Sequence, residues 1–143
     1  MIKVESSVMI NRPVQEVFAF VTDPSNNAKW QEGLIESRLE SAGPVALGSK
    51  ITDVRTFIGR KLESKLEVTA YEPGKRVSLK VVKGPLPFEV TQTFQPEAGG
   101  TKLDFVAQGE PGGFFKLAEG MVRKQLEAQL VTNAERLKKV LEA

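Results

Sequence analysis

The sequence predicts an α+β fold in which a seven-stranded curved antiparallel sheet wraps around a long C-terminal helix, with two short helices after the first strand. Three observations carry this expectation. The first ten residues alternate apolar and polar side chains, residues 34–109 break into short alternating segments at Gly and Pro turn signals, and residues 114–143 contain no proline.

In the first segment Ile2, Val4, Ser6, Val8 and Ile10 share one face and Lys3, Glu5, Ser7 and Met9 the other, the period of a half-buried strand. Pro13 presets φ for a first helical turn, and Val14, Val17, Phe18 and Val21 recur at helical spacing until Asp23-Pro24. Asp23 can cap a second short helix that begins at Pro24, carries Trp30 and ends at Gly33. Turn signals at Gly43-Pro44, Gly48, Gly59, Pro73-Gly74, Gly84-Pro85 and Gly99-Gly100 then divide residues 34–109 into six strands. The connections are too short for parallel crossovers, so the strands form a meander. After Glu110-Pro111-Gly112-Gly113, one long helix is expected from Phe114 to about Leu141. Its apolar residues fall into two clusters about a quarter turn apart, Phe114-Leu117-Ala118-Met121-Val122 and Leu126-Leu130-Leu137-Leu141, which predicts a helix curved over a concave sheet or one covering two surfaces.

With 143 residues the chain has room for one domain, spanning 1–143, and for one core or one pocketed core. It has no cysteine and no histidine, which excludes disulfides, thiolate nucleophiles and cysteine–zinc sites and removes the commonest general base and metal ligand. Twenty basic residues are interspersed with eighteen acidic ones, for a net charge of +2, so no basic stripe points to nucleic acid. No apolar run reaches the roughly 20 residues of a membrane span. The N-terminus shows no secretory leader, so stable membrane insertion is not expected and a cytoplasmic location is.

The order of elements, with Ile10-Asn11-Arg12-Pro13 before Val17-Phe18, Asp23-Pro24 before Trp30, Phe57-Ile58-Gly59-Arg60 between two strands, Tyr71-Glu72-Pro73-Gly74-Lys75-Arg76, and Gly99-Gly100-Thr101-Lys102-Leu103, resembles the helix-grip fold of the START/Bet v 1-like (SRPBCC) superfamily, in its polyketide cyclase/dehydrase-type branch. The resemblance covers nearly the whole chain. It implies a cavity between sheet and helix that holds a small hydrophobic or amphipathic ligand of lipid, polyketide or aromatic type, with no cofactor and no metal. It also leaves two alternatives: a metal-free cyclase or dehydratase acting in the same cavity, or an interaction or membrane-associated module of the same fold, as monomer or homodimer. An exposed apolar patch including Met9, Val54, Ile58 or Val82 would favour the module. No catalytic motif is present to carry over, and fold alone confers no activity.

Several residues can be assigned to the cavity from the pattern itself. If Gly59-Arg60 is a two-residue hairpin loop, Ile51, Asp53, Arg55 and Phe57 share a face with Leu62, Ser64, Leu66 and Val68. The opposite face is Lys61, Glu63, Lys65 and Glu67, so Asp53 and Arg55 point inward, where they could orient a polar group or act as the catalytic pair of an enzyme. An odd-length loop would instead turn both to solvent and Val54, Thr56 and Ile58 inward. On the long helix Met121, Gln125, Gln129 and Asn133 form an i, i+4 row beside the apolar stripe, either lining the cavity with amides or standing half wet at its boundary, with Asn133 the weakest of the row. Gln92 alternates with Phe88, Val90 and Phe94, so it meets a ligand or a neighbouring side chain. Trp30 is read first as an anchor of its helix on the sheet and second as a stacking surface. Tyr71 is expected at an edge, facing outward. The expected ligand-binding set is Trp30, Asp53, Arg55, Phe57, Ser64, Leu66, Phe88, Gln92, Phe105, Met121, Gln125 and Gln129. Residues 109–113 form a connector, with a lid over the helix N-terminus as the alternative.

Overall fold

A computed structural model describes residues 1–112 and 114–143, with the side chain of Phe114 outside the description. Strand β1 (Ile2–Ile10) buries Ile2, Val4 and Ile10, half-buries Ser6 and Val8, and exposes Lys3, Glu5, Ser7 and Met9. Pro13 leads into helix α1 (Val14–Val21), whose Val17, Phe18 and Val21 turn inward. The Thr22 hydroxyl donates to the Phe18 carbonyl at 2.7 Å and closes that helix. Asp23 then accepts from the backbone and hydroxyl of Ser25, capping a 3-10 segment over Pro24–Lys29. That segment stops one residue short of Trp30, which holds the C-cap position and is buried.

The remaining strands are β2 (Leu34–Leu39), β3 (Lys50–Phe57), β4 (Arg60–Glu72), β5 (Arg76–Lys83), β6 (Phe88–Glu97) and β7 (Gly100–Gly109). Their order in the sheet is β1-β7-β6-β5-β4-β3-β2, with every neighbouring pair antiparallel. The meander is therefore unbroken from β2 to β7, and β1 is added at its far edge. The sheet curls into a half-barrel, and bulges in the β2–β3 and β4–β5 pairs contribute local bends.

One of these bulges corrects the expectation for Tyr71. The register shifts between Val68 and Ala70, so Tyr71 sits on the same side as Val68 instead of the opposite one. It packs edge-on against Phe18 at 5.6 Å, half-buried against the core instead of facing outward.

The β3–β4 hairpin also differs from expectation, without consequence for its faces. Its loop is Ile58-Gly59, both at positive φ, and Phe57 pairs with Arg60. Relative to a Gly59-Arg60 loop the register slips by two residues, which preserves parity. Ile51, Asp53, Arg55 and Phe57 still share a face with Leu62, Ser64, Leu66 and Val68, and the inward face stands.

The C-terminal helix is not continuous. A single turn, α2 (Phe114–Leu117), is followed by a break at Ala118 and then by α3 (Glu119–Glu142). Ala118 has φ −111° and ψ 32°, outside helical geometry. Leu117 just before the break and Met121 just after it are turned to solvent. Helix α3 runs alongside β1 in the same direction: Arg123 donates to the carbonyls of Lys3 and Met1, and Lys138 to that of Met9.

Two apolar clusters result. One joins Ile10, α1, Trp30, Phe94, Leu103 and Phe105 to Ala134, Leu137 and Leu141 of α3. The other joins Ile2, Val4, Phe57, Phe88 and Ala107 to Phe115 and Val122.

Candidate ligand cavity

Between these clusters lies a cavity of about 190 Å³, walled by residues of both. The sheet supplies most of its apolar surface, including Phe57, Leu66, Leu79, Val90 and Ala107, and α3 covers it with Leu126 and Leu130. An apolar cavity of about 150 Å³ accepts a benzene-sized guest, so this space matches a compact ring system.

Polar groups gather on one side, where β2, β3 and the 3-10 segment meet. Ser37 donates to Asp53 Oδ1 at 2.7 Å, and Arg55 Nη2 donates to Asp53 Oδ2 at 3.1 Å and to Gln31 Oε1 at 3.0 Å. Asn27 Nδ2 donates to the Ser37 hydroxyl at 3.3 Å, which completes a chain of five side chains. Asp53 is buried and Arg55 only partly so, which places the carboxylate in the wall with the guanidinium reaching toward water. Other polar residues arrive from elsewhere: Thr22 from the end of α1, Ser64 from β4, Gln92 from β6, and Gln129 and Asn133 from α3. Asn133 is partly committed already, since its Oδ1 accepts from the backbone of Glu32 at 2.8 Å and ties α3 to the end of the 3-10 segment.

Of the residues expected at the cavity, Trp30, Asp53, Arg55, Phe57, Ser64, Leu66, Phe88, Gln92, Phe105 and Gln129 stand in its wall. Trp30 packs on Phe105 at 5.9 Å, as an anchor on the sheet would, and also lines the space. Met121 and Gln125 are corrections: Met121 is exposed, and neither residue is among those forming the wall. The cause is geometric. Steps of four residues advance about 40° beyond a full turn, so a row that reaches the cavity at Gln129 and Asn133 has already turned away by Met121. Asn133, the weakest of the row in sequence, is at the wall.

Asn27 and Gln31 were not foreseen, because a short 3-10 segment has no periodicity to reveal which side faces inward. Among the described residues no group of three or more acidic side chains comes together as a metal site, and no helix is long and apolar enough to cross a membrane. The proposed lid over residues 109–113 includes Gly113, which lies outside the described residues.

A curled sheet, a covering helix and a mainly apolar cavity between them define a START-like ligand-binding fold. Residues 1–142 match the model of the family described as polyketide cyclase / dehydrase and lipid transport, and the chain belongs to that family. Its backbone is similar to a START superfamily protein from Mycobacterium smegmatis, with a TM-score of 0.79 at 14% identity over 98% of this chain and 97% of that one. TTHA0849 from Thermus thermophilus gives a TM-score of 0.76 at 18% identity over 96% and 98% of the two chains. The di-domain ARO/CYC protein BexL from the BE-7585A biosynthetic pathway gives 0.76 at 16% identity, over 99% of this chain and 47% of that one. At these identities the likeness concerns the fold. Among curated proteins none matches the sequence.

Proposed function

We propose that the protein binds a small, mostly apolar molecule bearing a polar substituent, held in the cavity between sheet and α3. The observation that carries this reading is the cavity itself, about 190 Å³ of mainly apolar wall where the two core clusters could otherwise have met. Leaving such a space empty forfeits dispersion contacts on every side, a cost a guest removes. The hydrogen-bonded polar group around Asp53 offers one fixed region against which an amphipathic guest orients.

The cyclase or dehydratase alternative would use Asp53 and Arg55. Both carboxylate oxygens of Asp53 already accept hydrogen bonds, from Ser37 and Arg55, an arrangement suited to holding Arg55 in place. The interaction-module alternative rests on an exposed apolar patch including Met9, Val54, Ile58 or Val82. Val54 and Ile58 are half-buried; Met9 and Val82 are exposed, but they stand on β1 and β5 with β7 and β6 between them.

The test is a titration with naphthalene followed through Trp30, the single tryptophan, which lines the cavity. A saturable change in its emission that disappears in Ala107→Phe, where the new ring fills the space, supports the proposal. Absence of any saturable change in the wild-type protein overturns it.

A further inference from the structure

Among the described residues, Asn27 Oδ1 and two further buried atoms of cavity-lining residues have no hydrogen-bond partner; the two are the indole Nε1 of Trp30 and the amide oxygen Oε1 of Gln92. Both residues line the cavity, with exposures of 2% and 5%. Phe105 links them. Trp30 packs on Phe105 at 5.9 Å, and Gln92 is the residue directly opposite Phe105 in the β6–β7 pair. A buried polar group without a partner is costly, and here a donor and an acceptor belong to two neighbours of the same residue, Phe105, without bonding to each other.

We infer that this part of the cavity recognises a neutral hydroxyl on an aromatic or similarly flat ligand, the hydroxyl accepting from Trp30 Nε1–H and donating to Gln92 Oε1. Trp offers a donor only, so the ligand atom facing it must accept. Gln92 Oε1 is an acceptor, so the same atom must also carry a hydrogen. A hydroxyl does both with one oxygen. A carboxylate has no hydrogen to give to Gln92, and an ether or ketone satisfies Trp30 alone. The inference rests on the cavity reading above and narrows its ligand class to a phenol or a comparable alcohol.

Two other occupants make opposite demands. An ordered water could bridge the pair in the empty protein, in which case a ligand hydroxyl gains nothing over a bare ring. Rotation of the Gln92 amide would present its NH₂, and a ketone would then be preferred.

The experiment is calorimetric titration of the wild-type protein, Trp30→Phe and Gln92→Leu with four probes: naphthalene, 2-naphthol, 2-methoxynaphthalene and 2-acetylnaphthalene. The quantity compared is the ratio of 2-naphthol to naphthalene affinity, which cancels ring burial and general effects of each substitution on the cavity. In the wild type 2-naphthol should bind best of the four, and the ratio should fall by about tenfold in each variant while naphthalene still binds. A ratio unchanged in either variant, a methoxy compound equal to the naphthol, or a ketone that outbinds it overturns the hydroxyl assignment and leaves the cavity reading intact. Failure of all four probes to bind the wild type overturns both.

Discussion

Ser37 and Asp53 face each other across the β2–β3 pair, and the serine hydroxyl donates to the carboxylate at 2.7 Å. The bond makes Asp53 a fixed acceptor in the cavity wall, with its second oxygen left for Arg55. Since Asp53 is the more buried partner, the two halves of the ion pair are unequal. Removing the cation strands a charge in the wall, whereas neutralising the carboxylate frees a guanidinium that can turn to water. We expect Arg55→Met to destabilise the protein by about 2 kcal/mol and Asp53→Asn by about 1 kcal/mol. The double variant should cost less than the sum, because each single change leaves the other group unmatched. Urea denaturation of the four proteins checks this, and an Asp53→Asn protein less stable than Arg55→Met would contradict the assignment.

Gln92 should show the opposite sign. Its amide oxygen is buried without a partner among the described residues, so replacement by Leu removes a desolvation cost while keeping a side chain of comparable volume. The empty Gln92→Leu protein is expected to be more stable than the wild type by about 1 kcal/mol. A residue that weakens the fold where an apolar one would strengthen it is a mark of a binding site. A thermal midpoint lowered by the change would show that Gln92 has a structural partner.

How far the sequence reaches depends on which signals survive a shift in register. The inward placement of Asp53 and Arg55 was legible because the solvated row Lys61, Glu63, Lys65, Glu67 marks the outer face of β4, and a slip of two residues leaves parity unchanged. Tyr71 was illegible because a bulge after Val68 adds one residue and reverses parity, with no turn residue to announce it. The Ala118 break was hidden for a similar reason, since Ala is the best helix former and tertiary packing overrides its preference. The chain Asn27–Ser37–Asp53–Arg55–Gln31 joins a 3-10 segment to two strands, and no local pattern predicts where those elements meet.

The β6–β7 hairpin turns through Ala98-Gly99, with φ of 50° and 81°. Glu97 pairs with Gly100 across it, so both turn residues are left-handed, the type I′ geometry that favours Asn-Gly. Alanine carries a Cβ penalty there that asparagine and glycine largely avoid. Ala98→Asn should therefore stabilise the protein by about 0.5–1 kcal/mol, seen as a higher urea midpoint at unchanged slope. Ile58 holds the same geometry in the β3–β4 hairpin, but it is half-buried against the second apolar cluster. The corresponding Ile58→Asn should gain little or lose stability, because relief of strain is offset by lost burial. Equal gains at both turns would mean that the Ile58 side chain contributes nothing to the cluster.

At the C-terminal end of α3, Glu142 Oε2 accepts from the backbone N–H of Asn11 at 2.7 Å and from Lys138 Nζ at 2.8 Å. The Asn11 N–H first, and then Lys138, hold its carboxyl below the usual carboxylate range. Because the folded value lies below the unfolded one, the ionised form favours the fold. Its contribution is fully present above the ordinary carboxylate value, and it is lost as pH falls from there through the lowered one. Lys138 also donates to the Met9 carbonyl, so protonating Glu142 weakens a junction that joins α3 to both β1 and the turn before α1. Glu142→Gln should make stability less sensitive to acid over that interval, and a carboxyl NMR titration of the wild type should place Glu142 below the ordinary carboxylate range. A stability curve for Glu142→Gln that runs parallel to the wild type throughout the acid limb would show that the helix end is held by Lys138 and Met9 alone.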